Sequence, residues 1–218
     1  RLDRLDGRQP GPQPLLGPMM RTQRAFTVVE FMITVALIAV VASLAGPSMY
    51  GMVLAQRLKG INANLVTDLQ YARSEAVSRG KNVWVQFKQV PASHMTCYTI
   101  YSDQSNTGAG AGKCDCTVSD VATRCAASAR ELKTVQIPDS LSVKLYIDTS
   151  IFTLNFAFDS VTGSIYVPPS DVALPPLTSY VIDTLIDAGR TLRTRISLAG
   201  RPAVCLPAGS VVTGGFPA

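Results

Sequence analysis

The sequence has one histidine, His94, and one tryptophan, Trp84, in 218 residues, and only 16% of the chain is charged. A lone imidazole in a polar loop gives no histidine-based metal set and no nucleophile, base and carboxylate series that could be read as a triad. The five cysteines, Cys97, Cys114, Cys116, Cys125 and Cys205, include no CxxC pair, which is the spacing that marks a structural zinc site. Cys114, Asp115, Cys116 and Cys125 are the densest group of potential ligands, and the missing paired spacing argues against an ion there. GAGAGK at residues 108–113 lacks both the spacing of a phosphate loop and the hydroxyl residue after its lysine, so it reads as a flexible loop. No catalytic constellation and no cofactor motif emerges, and we expect a protein that is not an enzyme.

Two further absences are positional. No acidic residue follows Asp187, although Arg190, Arg193, Arg195 and Arg201 all lie beyond it. In an alternating strand Arg193 and Arg195 oppose Leu192, Ile196 and Leu198, so both are expected to face solvent, with Arg201 in the adjoining turn. Guanidinium groups placed this way suit phosphate oxygens, whereas an ordinary solvated strand face needs no ligand at all. The overall charge of +5 is less informative, because residues 1–25 alone carry five Lys/Arg against two Asp, leaving 15 against 13 of the 20 and 15 in the chain. Residues 31–56 contain no charge of either sign.

That uncharged stretch is the core of the run FTVVEFMITVALIAVVASLAGP, residues 26–47. About 20 apolar residues suffice for a helix to cross the hydrocarbon core, so one membrane span is expected here. A short basic segment precedes it, Glu30 stands at its entrance and Pro47 closes it. Upstream, residues 1–18 are rich in proline and glycine with no apolar period, and cannot bury a core. Starting at Met20 gives the short basic leader MRTQRA, and we expect residues 1–18 to be upstream readthrough or poorly ordered leader.

These features resemble the N-terminus of the type IV pilin superfamily. The resemblance implies cleavage by a prepilin peptidase between Ala25 and Phe26, methylation of Phe26, Glu30 as the fifth mature residue and Pro47 as the twenty-second. Ala25 departs from the glycine that the family nearly always carries there. Glu30 has two readings. A carboxylate at headgroup depth needs no partner, since enough apolar residues follow it to span alone. One inside the membrane needs an offsetting cation, which by resemblance is the free amine of a neighbouring subunit's Phe26.

After Pro47, where a kink is expected, Leu54, Leu58, Ile61, Leu65, Leu69, Ala72 and Ala76 recur at steps of four and three. This is the stripe of an amphipathic helix, with Gln56, Arg57, Lys59, Asn64, Asp68 and Arg73 on the polar face and Gly80 placed as a C-cap. Strand patterns follow at residues 83–87, 97–101, 141–147, 152–158 and 164–167, with a closing hairpin of 191–198 and 202–206. Residues 102–113 and 167–176 read as loops. The expected fold is α+β, a long N-terminal helix laid on an antiparallel sheet. Residues 1–25 are the leader, 26–47 the membrane half of the helix, 48–80 its amphipathic half and 81–218 the β-rich head.

LQYARSEAVSRGKNVWVQF, residues 69–87, resembles the GspH/FimT family of minor pilins and pseudopilins, and RISLAGRPAVC, residues 195–205, is similar to that family's closing hairpin. The resemblance implies a structural minor subunit of a type II secretion pseudopilus or a type IV pilus. Such a subunit is anchored in the inner membrane, holds its head in the periplasm and assembles with other pilin-like subunits. Its alternative is a DNA-binding minor pilin, because FimT-type members bind DNA through a GRxR motif at this hairpin. Gly200 and Arg201 match that motif, while Ala203 replaces its second arginine. A periplasmic head permits disulfides. Cys114 and Cys116 are too close to bridge each other, and five cysteines leave at least one outside an intramolecular pair.

Overall fold

The computed structural model describes residues 27–90, 94–103, 113–149, 154–166 and 178–212, without the side chains of 44–48 and of Val90. The chain divides between Gly46 and Pro47 into two units.

In the first unit, helix α1 (Val28–Arg79) begins at a cap that the sequence spells out. The Glu30 amide donates to Thr27 Oγ1 at 3.2 Å and the Phe31 amide to the Thr27 carbonyl at 3.1 Å. Thr-x-x-Glu is the spacing of a capping box, and the Glu30 carboxylate lies in the first turn, where the helix dipole favours an anion. Described side chains from 28 to 43 are all exposed. The hydroxyls of Thr34 and Ser43 bond back to the carbonyls of Phe31 and Val40, each at 2.8 Å, which satisfies them without an outside partner. Among the described residues no helix is long and apolar enough to cross a membrane. The described side chains of the apolar run stop at Ser43, short of the roughly 20 residues that a span takes. Ala25 and Phe26 lie outside the described residues, and the kink expected at Pro47 falls on the boundary between the units.

Among the described residues the second unit holds the rest of α1 and nine strands. Leu54, Leu58, Leu65, Leu69, Ala72 and Ala76 are buried as the stripe requires, and Gly80 ends the helix at φ +62°. Asp68, expected on the polar face, is buried instead, because a tyrosine and a lysine from two strands reach it. Its carboxylate accepts Tyr98 Oη at 2.7 Å and Lys133 Nζ at 2.6 Å. Burial, and then this bond, push the Tyr98 phenol well above its ordinary range. Asn62, six residues earlier on the helix, is buried with its Oδ1 accepting the hydroxyls of Thr184 and Thr194 at 2.9 Å each.

The strands are β1 (Val83–Val90), β2 (Met95–Asp103), β3 (Ala129–Pro138), β4 (Lys144–Tyr146), β5 (Asn155–Phe158), β6 (Ile165–Tyr166), β7 (Ser179–Asp187), β8 (Arg190–Ser197) and β9 (Pro202–Cys205). They form two antiparallel sheets where one was expected, in the orders β3-β2-β1-β5-β6 and β4-β7-β8-β9. Leu65 and Leu69 pack with Phe87, Tyr98, Phe156 and Tyr180 in the main core, while Leu58 meets Val143, Leu192 and Val212. Trp84 lies on the opposite face of β1 with Tyr101 and Ala157. β3 and β7 were not expected. β3 is an edge strand of mixed polarity, and β7 alternates cleanly, with Tyr180, Ile182 and Thr184 buried.

Disulfides join Cys97 to Cys116 and Cys114 to Cys125, leaving Cys205 as the free thiol. The first spans 19 residues and ties β2 to the segment that precedes β3. A closed loop of that length restricts the unfolded chain by about 3 kcal/mol at room temperature. Urea unfolding of the Cys97→Ser, Cys116→Ser variant is therefore expected to show a loss of about 3 kcal/mol, and a loss below about 1 kcal/mol would contradict this bridge.

Candidate functional site

The closing hairpin carries the arginines. β8 pairs β7 on one side and β9 on the other, with Arg193 opposite Asp183 and Arg195 opposite Val181 and Ala203. Leu192, Thr194 and Ile196 are buried on its inner face. Arg193 points outward as expected, but it is not open to a ligand. Its guanidinium bonds both oxygens of Asp183 at 2.8 Å, a bidentate pair that raises its pKa further. Arg190 is held likewise by Asp187, through Nε at 2.8 Å and Nη2 at 2.5 Å. The sequence reading missed both pairings because the acids belong to β7. Arg195 and Arg201 are exposed, and no described carboxylate forms an ion pair with either.

The turn that positions Arg201 is tightly packed. Gly200 adopts φ +73° and donates its amide to the Ser197 carbonyl at 2.8 Å, while Ser197 N donates to Arg201 O at 3.1 Å. A Cβ at Gly200 would stand 2.1 Å from the carbonyl oxygen of Gly163, so only glycine fits. That same carbonyl accepts Arg73 Nε from the helix at 3.0 Å. Ile165 N donates to Leu198 O at 2.9 Å, linking β6 of one sheet to the hairpin of the other. Gln70, Arg73, Gly200, Arg201 and Pro202 thereby line one cleft of about 380 Å³. Arg73, read as an ordinary solvated residue, is thus drawn toward the hairpin. It is the arginine of the ARSEA stretch, residues 72–76.

Residues 63–200, more than half of the chain, match the family model described as Type II transport protein GspH. The chain belongs to the GspH family. Residues 20–46 of this GspH-family chain also match the prokaryotic N-terminal methylation motif, a stretch that includes Ala25, Phe26 and Glu30 and ends just before Pro47. The crystal structure of the type IV minor pilin FimU of Pseudomonas aeruginosa is similar at 17% identity and a TM-score of 0.43, covering 71% of this chain and 90% of that one. No curated protein matches the sequence. The family and the methylation motif together make the GspH-family chain a minor pilin or pseudopilin subunit.

The remaining residues singled out from sequence fall apart spatially or chemically. Glu30 is exposed in the first turn of α1. His94 is exposed at φ +50°, with Nδ1 3.7 Å from Asp139, and its neighbour Ser93 lies outside the described residues. Among the described residues no three His, Cys, Asp or Glu side chains converge as metal ligands. Cys114, Cys116 and Cys125 are in disulfides, and Asp115 instead bonds Lys88 Nζ at 2.6 Å and the Thr117 hydroxyl at 2.7 Å. Burial pulls the Asp115 carboxyl upward, but Lys88 and Thr117 prevail and hold it below its usual range. The residues of GAGAGK before Lys113 lie outside the described residues.

Proposed function

We propose that this GspH-family subunit is cut between Ala25 and Phe26 by a prepilin peptidase, methylated at Phe26, and built into a type II secretion pseudopilus or a type IV pilus. The observation that carries this reading is the helix start. A methylation motif leads into a capped helix that carries no charge from Phe31 to Gln56 and whose described apolar side chains from 28 to 43 are all exposed, a surface that needs either lipid or other helices to cover it. In this reading residues 26–47 hold the subunit in the inner membrane, the head stands in the periplasm, and the partners are the peptidase and other pilin-like subunits. The work is done by assembly, with no catalytic step. Nucleic-acid binding at the hairpin is a second reading, supported only by the unpaired Arg195 and Arg201 and weakened by the pairing of Arg193 with Asp183.

The test separates the two roles open to Glu30. Glutamine can still complete a capping box but carries no charge to pair with a neighbour's amine. If charge pairing guides assembly, Glu30→Ala and Glu30→Gln are both cut and methylated normally, and both enter filaments at least about tenfold less well, the equivalent of about 1.4 kcal/mol. Mass spectrometry of the N-terminus and filament fractionation read these two quantities independently. Normal assembly of Glu30→Gln would overturn the pairing, and mature protein retaining Arg24 and Ala25 would overturn the pilin reading itself.

A further inference from the structure

Most cations of the head are neutralised within it. Lys88, Arg124, Lys133, Lys144, Arg190 and Arg193 each form an ion pair with a carboxylate. Arg73 and Arg201 have no such partner among the described residues, yet both line the cleft between the helix and the closing hairpin. Arg73 uses Nε to hold the Gly163 carbonyl at 3.0 Å, which fixes the guanidinium plane, and its two terminal nitrogens make no bond among the described residues. The contact between Gly163 and Gly200 locks the turn that carries Arg201. One cation is therefore oriented, and the backbone that carries the other is held, before any ligand arrives.

The surroundings say what kind of ligand. Val77 is 50% exposed, Leu198 50% and Val161 81%. A Cβ at Gly163 would lie 3.2 Å from Val77 Cγ2, so Val77, the 159–163 turn and the 197–201 turn meet at one corner. The one carboxylate in these turns, Asp159, is already engaged by the Val161 and Thr162 amides and the Thr162 hydroxyl. The Thr162 bonds hold it below the usual carboxylate range, so it stays ionised but directed into its own turn. Phosphate contacts alone would leave this apolar rim uncovered. A protein surface that presents a carboxylate among apolar side chains matches both features, because paired guanidinium groups bind a carboxylate through charge-assisted bonds while the rim excludes water.

We propose that the corner formed by Arg73, Val77, Leu198 and Arg201 docks an acidic side chain on the apolar face of a neighbouring protein subunit. The proposal rests on assembly as the function and adds the contact that the head makes. The experiment uses the full chain in its native membrane with a benzoylphenylalanine photo-crosslinker at Leu198, and a second probe at the distant Tyr146 as a positional control. The expected result is an adduct at Leu198, absent at Tyr146, with another pilin-like subunit, the crosslinked peptide containing Asp or Glu. That adduct falls at least about fivefold in Arg201→Glu, the scale of one charge-assisted pair, and persists in Arg57→Glu. Replacing the partner's acid by arginine in the Arg201→Glu background restores it. The proposal is overturned if no protein adduct forms, if the adduct ignores Arg201→Glu, or if duplex DNA is shifted by the chain in an Arg201-dependent manner while no such adduct appears. N-terminal processing is read on the same samples: an unprocessed chain that still gives the charge-dependent adduct sinks the pilin reading and leaves the docking surface standing.

Discussion

Replacing Gly200 with valine is expected to destabilise the head by about 3 to 5 kcal/mol, combining left-handed backbone strain of about 1 to 2 kcal/mol with overpacking of similar or larger size. The φ of +73° supplies the first term, and the 2.1 Å approach of any Cβ to the Gly163 carbonyl supplies the second. The carbonyl cannot simply move aside, because it also accepts Arg73 Nε at 3.0 Å. Gly209 separates the two terms, since it has φ +84° but nothing within 4 Å of its Cβ position. Gly209→Ala is expected to cost only about 1 kcal/mol, the backbone term alone. Urea unfolding of the full chain in mild detergent, followed by the fluorescence of the buried Trp84, measures both variants. Equal losses at the two glycines would show that the turn yields to a side chain and that the cleft is not rigid.

Asp68→Ala is expected to cost about 3 kcal/mol, because it strands the buried Tyr98 hydroxyl and removes the partner of Lys133 at once. The two losses differ in weight. Lys133 keeps 45% of its side chain exposed and can return to water, so most of the cost belongs to Tyr98, which is 1% exposed. Tyr98→Phe alone is expected to cost about 1.5 kcal/mol, and Asp68→Ala in that background to cost less than in the parent chain, the mark of shared contacts. Additive losses in the double-mutant cycle would mean that the tyrosine and the carboxylate stabilise the head independently.

The parts of this fold legible in the sequence are those set by local periodicity and local chemistry. The stripe from Leu54 to Ala76 announced the buried face of the helix, Gly80 its end, and the alternation around Leu192 and Ile196 the closing hairpin. The Thr27 and Glu30 capping box was equally visible, at the expected three-residue spacing, and was overshadowed by the membrane reading of the same residues. β7 was missed although SYVIDTLID alternates well, because nothing was assigned between the proline-rich loop ending at residue 176 and the closing hairpin starting at residue 191. With β7 went Asp183 and Asp187, and so the knowledge that Arg193 and Arg190 are neutralised. Asp68 and Arg73 failed for another reason. Their partners lie 30, 65 and 90 residues away in the chain, and helical spacing alone cannot tell a polar side chain facing water from one met by a distant strand.

The polar contacts beneath the helix also bear on mechanical load. Asn62 grips Thr184 and Thr194, and Asp68 grips Tyr98 and Lys133, at two points about 9 Å apart along the axis. Leucines alone would let the helix slip lengthwise by small steps, trading one apolar contact for another. Advancing it by a single residue, about 1.5 Å, breaks bonds at both grips at once. A pull applied along this part of the helix is therefore handed to both sheets as shear on fixed points, and the head follows as cargo on a locked towbar.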